Sequence, residues 1–74
     1  MDFLTVTTNL GDLGMTQEGI ASALGVSRSL VKAARLDRSS PNYRKPPDGW
    51  REKLLVAARL RGNEFVKLAE ELEA

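Results

Sequence analysis

Apolar side chains in this chain recur at helical spacing. Phe3, Val6, Leu10 and Leu13 fall at steps of three and four, with Leu4 beside them, which predicts one face of a short helix over residues 3–13. The intrinsic propensity there is poor, because Thr5, Val6, Thr7 and Thr8 are β-branched and Gly11 interrupts the run, so packing must hold it helical. Gly14 is the expected stop. Thr16 then reads as an N-cap, with Gln17 and Glu18 in the first turn and Met15 ahead as a staple partner. Ile20, Ala21 and Leu24 form the apolar face of this second helix, and Gly25 ends it. Ser27 caps a third, in which Val31 and Ala34 stand at core spacing and Leu30 widens the apolar side.

Residues 37–49 read as a loop, because Pro41, Pro46 and Pro47 hold their predecessors extended and cannot continue a helix. Helix is expected to resume near Asp48 or Gly49. Trp50, Leu54, Ala58, Phe65, Leu68 and Leu72 follow in one phase, with Arg61 in the slot that divides the longest step. One long helix with a weak point at Gly62-Asn63 is the favoured reading; the alternative is two helices, stopped by Gly62 and capped again by Asn63. The expected architecture is all-α: a compact four- to five-helix bundle with a long C-terminal helix, in a single domain over residues 1–74. Residues 1–49 would form the recognition part with its loop, and residues 50–74 a helix for dimerisation.

Composition narrows the chemistry. A chain of 74 residues buries only about 60% of its unfolded surface, so its core is small. With neither cysteine nor histidine, disulfides, zinc sites and most nucleophile–base pairs lose their usual parts. No catalytic residue, metal, cofactor or small-molecule pocket is expected, and the chain reads as a non-enzyme. No apolar run approaches the ~18 residues of a membrane span, and Asp2 stands where a secretory signal would be basic, so a cytoplasmic protein is expected.

The net charge of +1 conceals a strong segregation. Residues 1–27 carry −3, residues 28–61 carry +7, and residues 62–74 carry −3. A basic middle between acidic ends suits a polyanion-binding face, although charge alone fits an ordinary solvated surface equally well.

Five features between Gln17 and Ala34 coincide in register. Two helices crossing steeply over a three-residue turn need a small residue where they touch, supplied by Ala21. The turn needs a residue that tolerates positive φ, supplied by Gly25. Val26 plugs the angle, Ser27 satisfies the orphan amides of the following helix, and Val31 packs that helix back onto its predecessor. Thr16-Gln17, Ile20-Ala21, Leu24-Gly25-Val26-Ser27 and Val31 together resemble the helix-turn-helix of the lambda-repressor and Cro-like families, over residues 15–36. A narrower likeness, through the short first helix and the Tyr43-Arg44-x-Pro-Pro loop, is to small phage anti-CRISPR-associated repressors. The chain departs from the larger family at Gly19, where a long polar residue is usual, and at Leu36-Asp37-Arg38, where the family has Glu-x-Gly.

The resemblance implies double-stranded DNA as partner, with residues 28–36 in the major groove. If Val31 and Ala34 face the core, Arg28, Ser29 and Lys32 lie opposite and are the candidate base-contacting residues. Gln17, by its match to the family position, is a candidate phosphate contact, with plain helix capping as the alternative. Ser27, Arg35, Arg38, Tyr43, Arg44 and Lys45 are flanking phosphate-contact candidates, the loop members among them being equally compatible with simple exposure. Phe65, Leu68 and Leu72 are read as a dimer interface in preference to internal packing, since the core is small and operators are commonly two-fold. The expectation is a dimeric, sequence-specific transcriptional repressor. Two other classes compete: a protein-interaction adaptor, which would show no preferred duplex, and an architectural, excisionase-like bender, which would show a steep salt dependence with modest selectivity.

Overall fold

The computed structural model describes residues 1–73; Ala74, the last residue of the segment assigned to dimerisation, lies outside the described residues. Four helices and no strand occur among them: α1 (Phe3–Asp12), α2 (Gln17–Leu24), α3 (Arg28–Ala34) and α4 (Trp50–Glu73).

Each of the first three helices begins at a polar cap whose oxygen takes an amide that the helix itself cannot satisfy. Asp2 Oδ1 accepts from the Thr5 N–H at 2.8 Å, Thr16 Oγ1 from Gly19 at 3.0 Å, and Ser27 Oγ from Leu30 at 3.2 Å. Met15 and Ile20, which bracket the second cap, are both buried in the common core, the arrangement of a hydrophobic staple. Gly25 ends α2 at φ 71°, the left-handed conformation that a side chain disfavours, and its neighbour Val26 donates its N–H back to the Ala21 carbonyl at 3.0 Å. The chain thereby turns sharply and restarts as α3 after three residues.

One cluster forms the interior: Phe3, Met15, Ile20, Ala21, Leu24, Val31, Ala34 and Leu54, with Val6, Leu10, Ala23, Val26, Trp50 and Ala57 packed partly against it. α2 packs on both α3 and α4. Phe3 meets Trp50 edge-to-face with ring centroids 5.1 Å apart, and this contact joins the two ends of the domain. Arg51 reinforces the junction by stacking over Trp50 and donating to the Met1 carbonyl at 2.6 Å.

Two expectations are corrected. Leu13 does not share the buried face of α1, because the helix has ended by then and Gly14 at φ 100° turns the chain, leaving Leu13 exposed. Thr7 takes a core position instead. Its Oγ1 donates to the Phe3 carbonyl at 2.8 Å, which hides the hydroxyl and leaves a methyl to pack.

The second correction concerns compactness. α4 is a single 24-residue helix, continuous through Gly62-Asn63. Only its first two turns, through Trp50, Leu54 and Ala57, belong to the core; every residue from Ala58 to Glu73 is exposed. The molecule therefore measures 53 × 20 × 19 Å, a small helical head with a projecting rod rather than a compact bundle. None of the described helices is long and apolar enough to cross a membrane.

Candidate nucleic-acid interface

α3 is short and its two faces are sharply different. Val31 and Ala34 are buried against α2 and the rest of the core, while Arg28, Ser29 and Lys32 are exposed on the other side. Ser27 occupies the cap and lies at the same end of the helix. Among the described residues, the Arg28 and Ser29 amides have no backbone or side-chain partner, and neither do those of Gln17 and Glu18 at the start of α2. Both helix starts thus present free N–H groups together with the positive end of a helix dipole, an arrangement that accommodates anions. Gln17 itself is half-buried in the first turn of α2.

The long connection from α3 to α4 returns to this face. Asp37 organises its start by accepting from both the Ser39 amide (2.9 Å) and hydroxyl (2.7 Å), which holds its carboxyl below the usual range. After the turn, the Arg44 N–H donates to the Ala33 carbonyl at 3.3 Å and fastens the loop to α3. Ser27, Ser29, Leu30, Ala33 and Arg44 consequently line one shallow depression. The loop places Arg44, an exposed cation, beside the exposed face of α3.

Other candidates lie elsewhere. Arg38, Tyr43 and Lys45 line a second, broader depression with Asp2, Phe3, Trp50 and Arg51, between the N-terminal segment and the start of α4. Arg38 there acts on Asp2, whose carboxyl is lowered chiefly by its hydrogen bonds from Thr5 and slightly by the guanidinium. Arg35 is turned toward α1: its Nη2 donates to Thr8 Oγ1 at 3.1 Å, and its buried Nε has no partner. This residue, expected to reach a phosphate, also joins the end of α3 to α1.

Sequence reasoning missed Glu18 as a member of the site. Its Oε1 lies 3.9 Å from Arg28 Nη1, a long contact between side chains 80% and 67% exposed. Such a pair contributes at most about 1 kcal/mol, so Arg28 remains available to another partner. No grouping of residues that could hold a metal ion occurs among those described. Compared with protein-family models, curated proteins and solved structures, the chain matches none, so the site rests on its own geometry.

Proposed function

We propose that this protein is a sequence-specific, dimeric DNA-binding regulator of the helix-turn-helix type, which occupies an operator and represses transcription. The observation that carries the reading is the division of α3: Val31 and Ala34 are held inside while Arg28, Ser29 and Lys32 stand outside, on a helix set by the Gly25 corner. Arg28 can grip guanine O6 and N7 with two hydrogen bonds, and Lys32, one turn further on, can reach a guanine or a phosphate. Ser29 offers a hydroxyl to either groove edge or backbone. Gln17, Ser27 and Arg44 flank these residues as backbone contacts that would fix register without carrying sequence information. Arg38 and Lys45 supply positive charge, and Tyr43 a hydroxyl, as further backbone contacts from the second depression, and Phe65, Leu68 and Leu72 supply the dimer contact. A regulator of this kind acts in the compartment that holds its DNA, and the cytoplasm is the location proposed.

The test is selection of bound duplexes from a random pool at about 150 mM salt, run on the native chain and on Arg28→Ala and Lys32→Ala. The expected result is a two-fold-symmetric site whose half-sites lie about 34 Å apart, or a multiple of that. Arg28→Ala should lose information at one base pair per half-site, a discrimination of about 1–3 kcal/mol. Equal binding to all duplexes, or no binding, would overturn the proposal.

A further inference from the structure

The rod formed by the outer two thirds of α4, residues 58–73, is exposed along its whole length, yet it is amphipathic. Ala58, Arg61, Phe65, Leu68 and Leu72 follow at steps of three and four, continuing the line of Leu54, which is buried in the head. Phe65 is 60% exposed, Leu68 52% and Leu72 79%. The chain as a whole exposes 5623 Å². A self-contained fold of its 8.1 kDa mass exposes about 4,500 Å². The excess, roughly 1,100 Å², is of the size that one partner contributes to an ordinary stable interface, about 800 Å².

The charge along α4 shows what fits there. Its first half, residues 50–61, holds Arg51, Lys53, Arg59 and Arg61 against Glu52, a net +3. Its second half, residues 62–73, holds Glu64, Glu70, Glu71 and Glu73 against Lys67, a net −3. A second α4 laid alongside in the same direction sets like charge on like charge at both ends. Reversed over residues 58–72, the same helix sets Glu70 and Glu71 of each copy near Arg59 and Arg61 of the other, twice, and aligns the two helix dipoles favourably. It also sets small Ala58 of one copy near bulky Leu68 and Leu72 of the other.

We infer that two copies of this protein pair through α4 in antiparallel orientation, over the stripe from Ala58 to Leu72. This rests on the homodimer part of the proposed function and is independent of whether DNA is bound. The pairing puts the two heads at opposite ends of a shared rod. Sixteen residues of free helix span about 24 Å. Head separation is then of the order of one DNA turn, about 34 Å, whereas parallel pairing would set the heads side by side.

The full chain, which has no native cysteine, allows orientation to be read by disulfide formation. Single variants Ala58→Cys, Leu68→Cys and Leu72→Cys are made, all at exposed positions outside the core cluster, so the core of the head is left unchanged. Mixed in pairs and oxidised, Ala58→Cys is expected to cross-link to Leu68→Cys or Leu72→Cys in preference to itself. Sedimentation of the native chain without DNA should show a dimer that weakens at least several-fold as ionic strength rises from about 0.05 to 0.5 M, because the attraction between halves is screened. Phe65→Glu should give a monomer with an intact head, seen as unchanged near-ultraviolet dichroism from Trp50. A dimer cross-linked only between identical positions, or strengthened by salt, overturns the antiparallel orientation and leaves a homodimer standing. A chain that stays monomeric at about 100 µM, above the dissociation constants of ordinary specific dimers, overturns the pairing and the homodimer reading together.

Discussion

Arg28 Nη1 stands 3.9 Å from Glu18 Oε1, linking the first turn of α3 to the first turn of α2 across the corner at Gly25. The pair lies at the edge of the proposed DNA face, where a carboxylate opposes the phosphates and competes for the guanidinium. Glu18→Gln is therefore expected to leave folding stability within about 0.5 kcal/mol, since exposed pairs contribute little. Affinity for the selected duplex should rise several-fold, the equivalent of about 1 kcal/mol for one repulsive charge near the DNA. Thermal denaturation and fluorescence titration of the same two proteins would check both halves of this expectation. A fall in stability with no gain in affinity would mean that Arg28 serves the corner rather than a base.

Arg44 and Arg35 carry the same charge in different settings, and their replacement should separate. Arg44→Ala leaves the loop's backbone bond to Ala33 intact, because that bond uses the Arg44 amide. The variant should bind all duplexes more weakly by a similar factor and flatten the logarithmic salt dependence by about one unit, as loss of one phosphate contact does. Arg35→Ala removes the hydrogen bond to Thr8 and the partly buried side chain between α3 and α1. It should lower the unfolding midpoint while leaving the salt slope unchanged. Titration at several salt concentrations beside a denaturation series distinguishes the two.

What could be read in the sequence, and what could not, follows from how local each cause is. Thr16, Gly25 and Ser27 act within three residues of themselves, through a cap bond or a backbone angle, so the geometry at both ends of α2 and at the start of α3 was legible. The stripe on α4 was legible too, since periodicity reports that one side is apolar. Periodicity does not report what covers that side, and the projection of the rod beyond Ala57 appears only in three dimensions. Thr7 was hidden for a chemical reason: a hydroxyl that returns to its own helix leaves a residue polar by name and apolar by surface. The Arg44–Ala33 bond and the Glu18–Arg28 contact were hidden because neither has a sequence signature. One pairs backbone groups that every residue possesses, and the other joins side chains ten positions apart on different helices.

Asp2 gives the head a dependence on acid. Hydrogen bonds from Thr5 favour its charged form and lower its pKa below the ordinary value, with the N-terminal ammonium and Arg38 adding in the same direction. For a carboxylate depressed on folding, the stabilisation is fully present above the unfolded pKa and disappears as pH falls through the folded one. The native chain should therefore lose stability on acidification below about pH 4, the ordinary range for aspartate. Asp2→Asn keeps a cap of comparable geometry without the titrating charge, and should show a shallower loss over the same window. Asp37, lowered by Ser39, titrates in the same direction and leaves a residual slope in the variant. Denaturant midpoints measured from about pH 3 to 7 give the comparison.

Gly62 offers the last test, because it lies within the rod, outside the core of the head. It lies in the middle of α4, at an ordinary helical φ, with nothing within 4 Å of where a Cβ would stand. In an exposed helix interior, alanine is favoured over glycine by about 1 kcal/mol, so Gly62→Ala should strengthen the outer half of α4. In a rod standing alone, that gain stays local: far-ultraviolet dichroism increases, while the cooperative unfolding of the head keeps its midpoint. In a rod paired with a second copy, folding of the rod is coupled to association, and the whole transition moves upward by about 4–8 °C for a domain of this size. The expected outcome is the coupled one, and it should shrink to the local one when the same substitution is made in the Phe65→Glu background, where the two rods no longer meet.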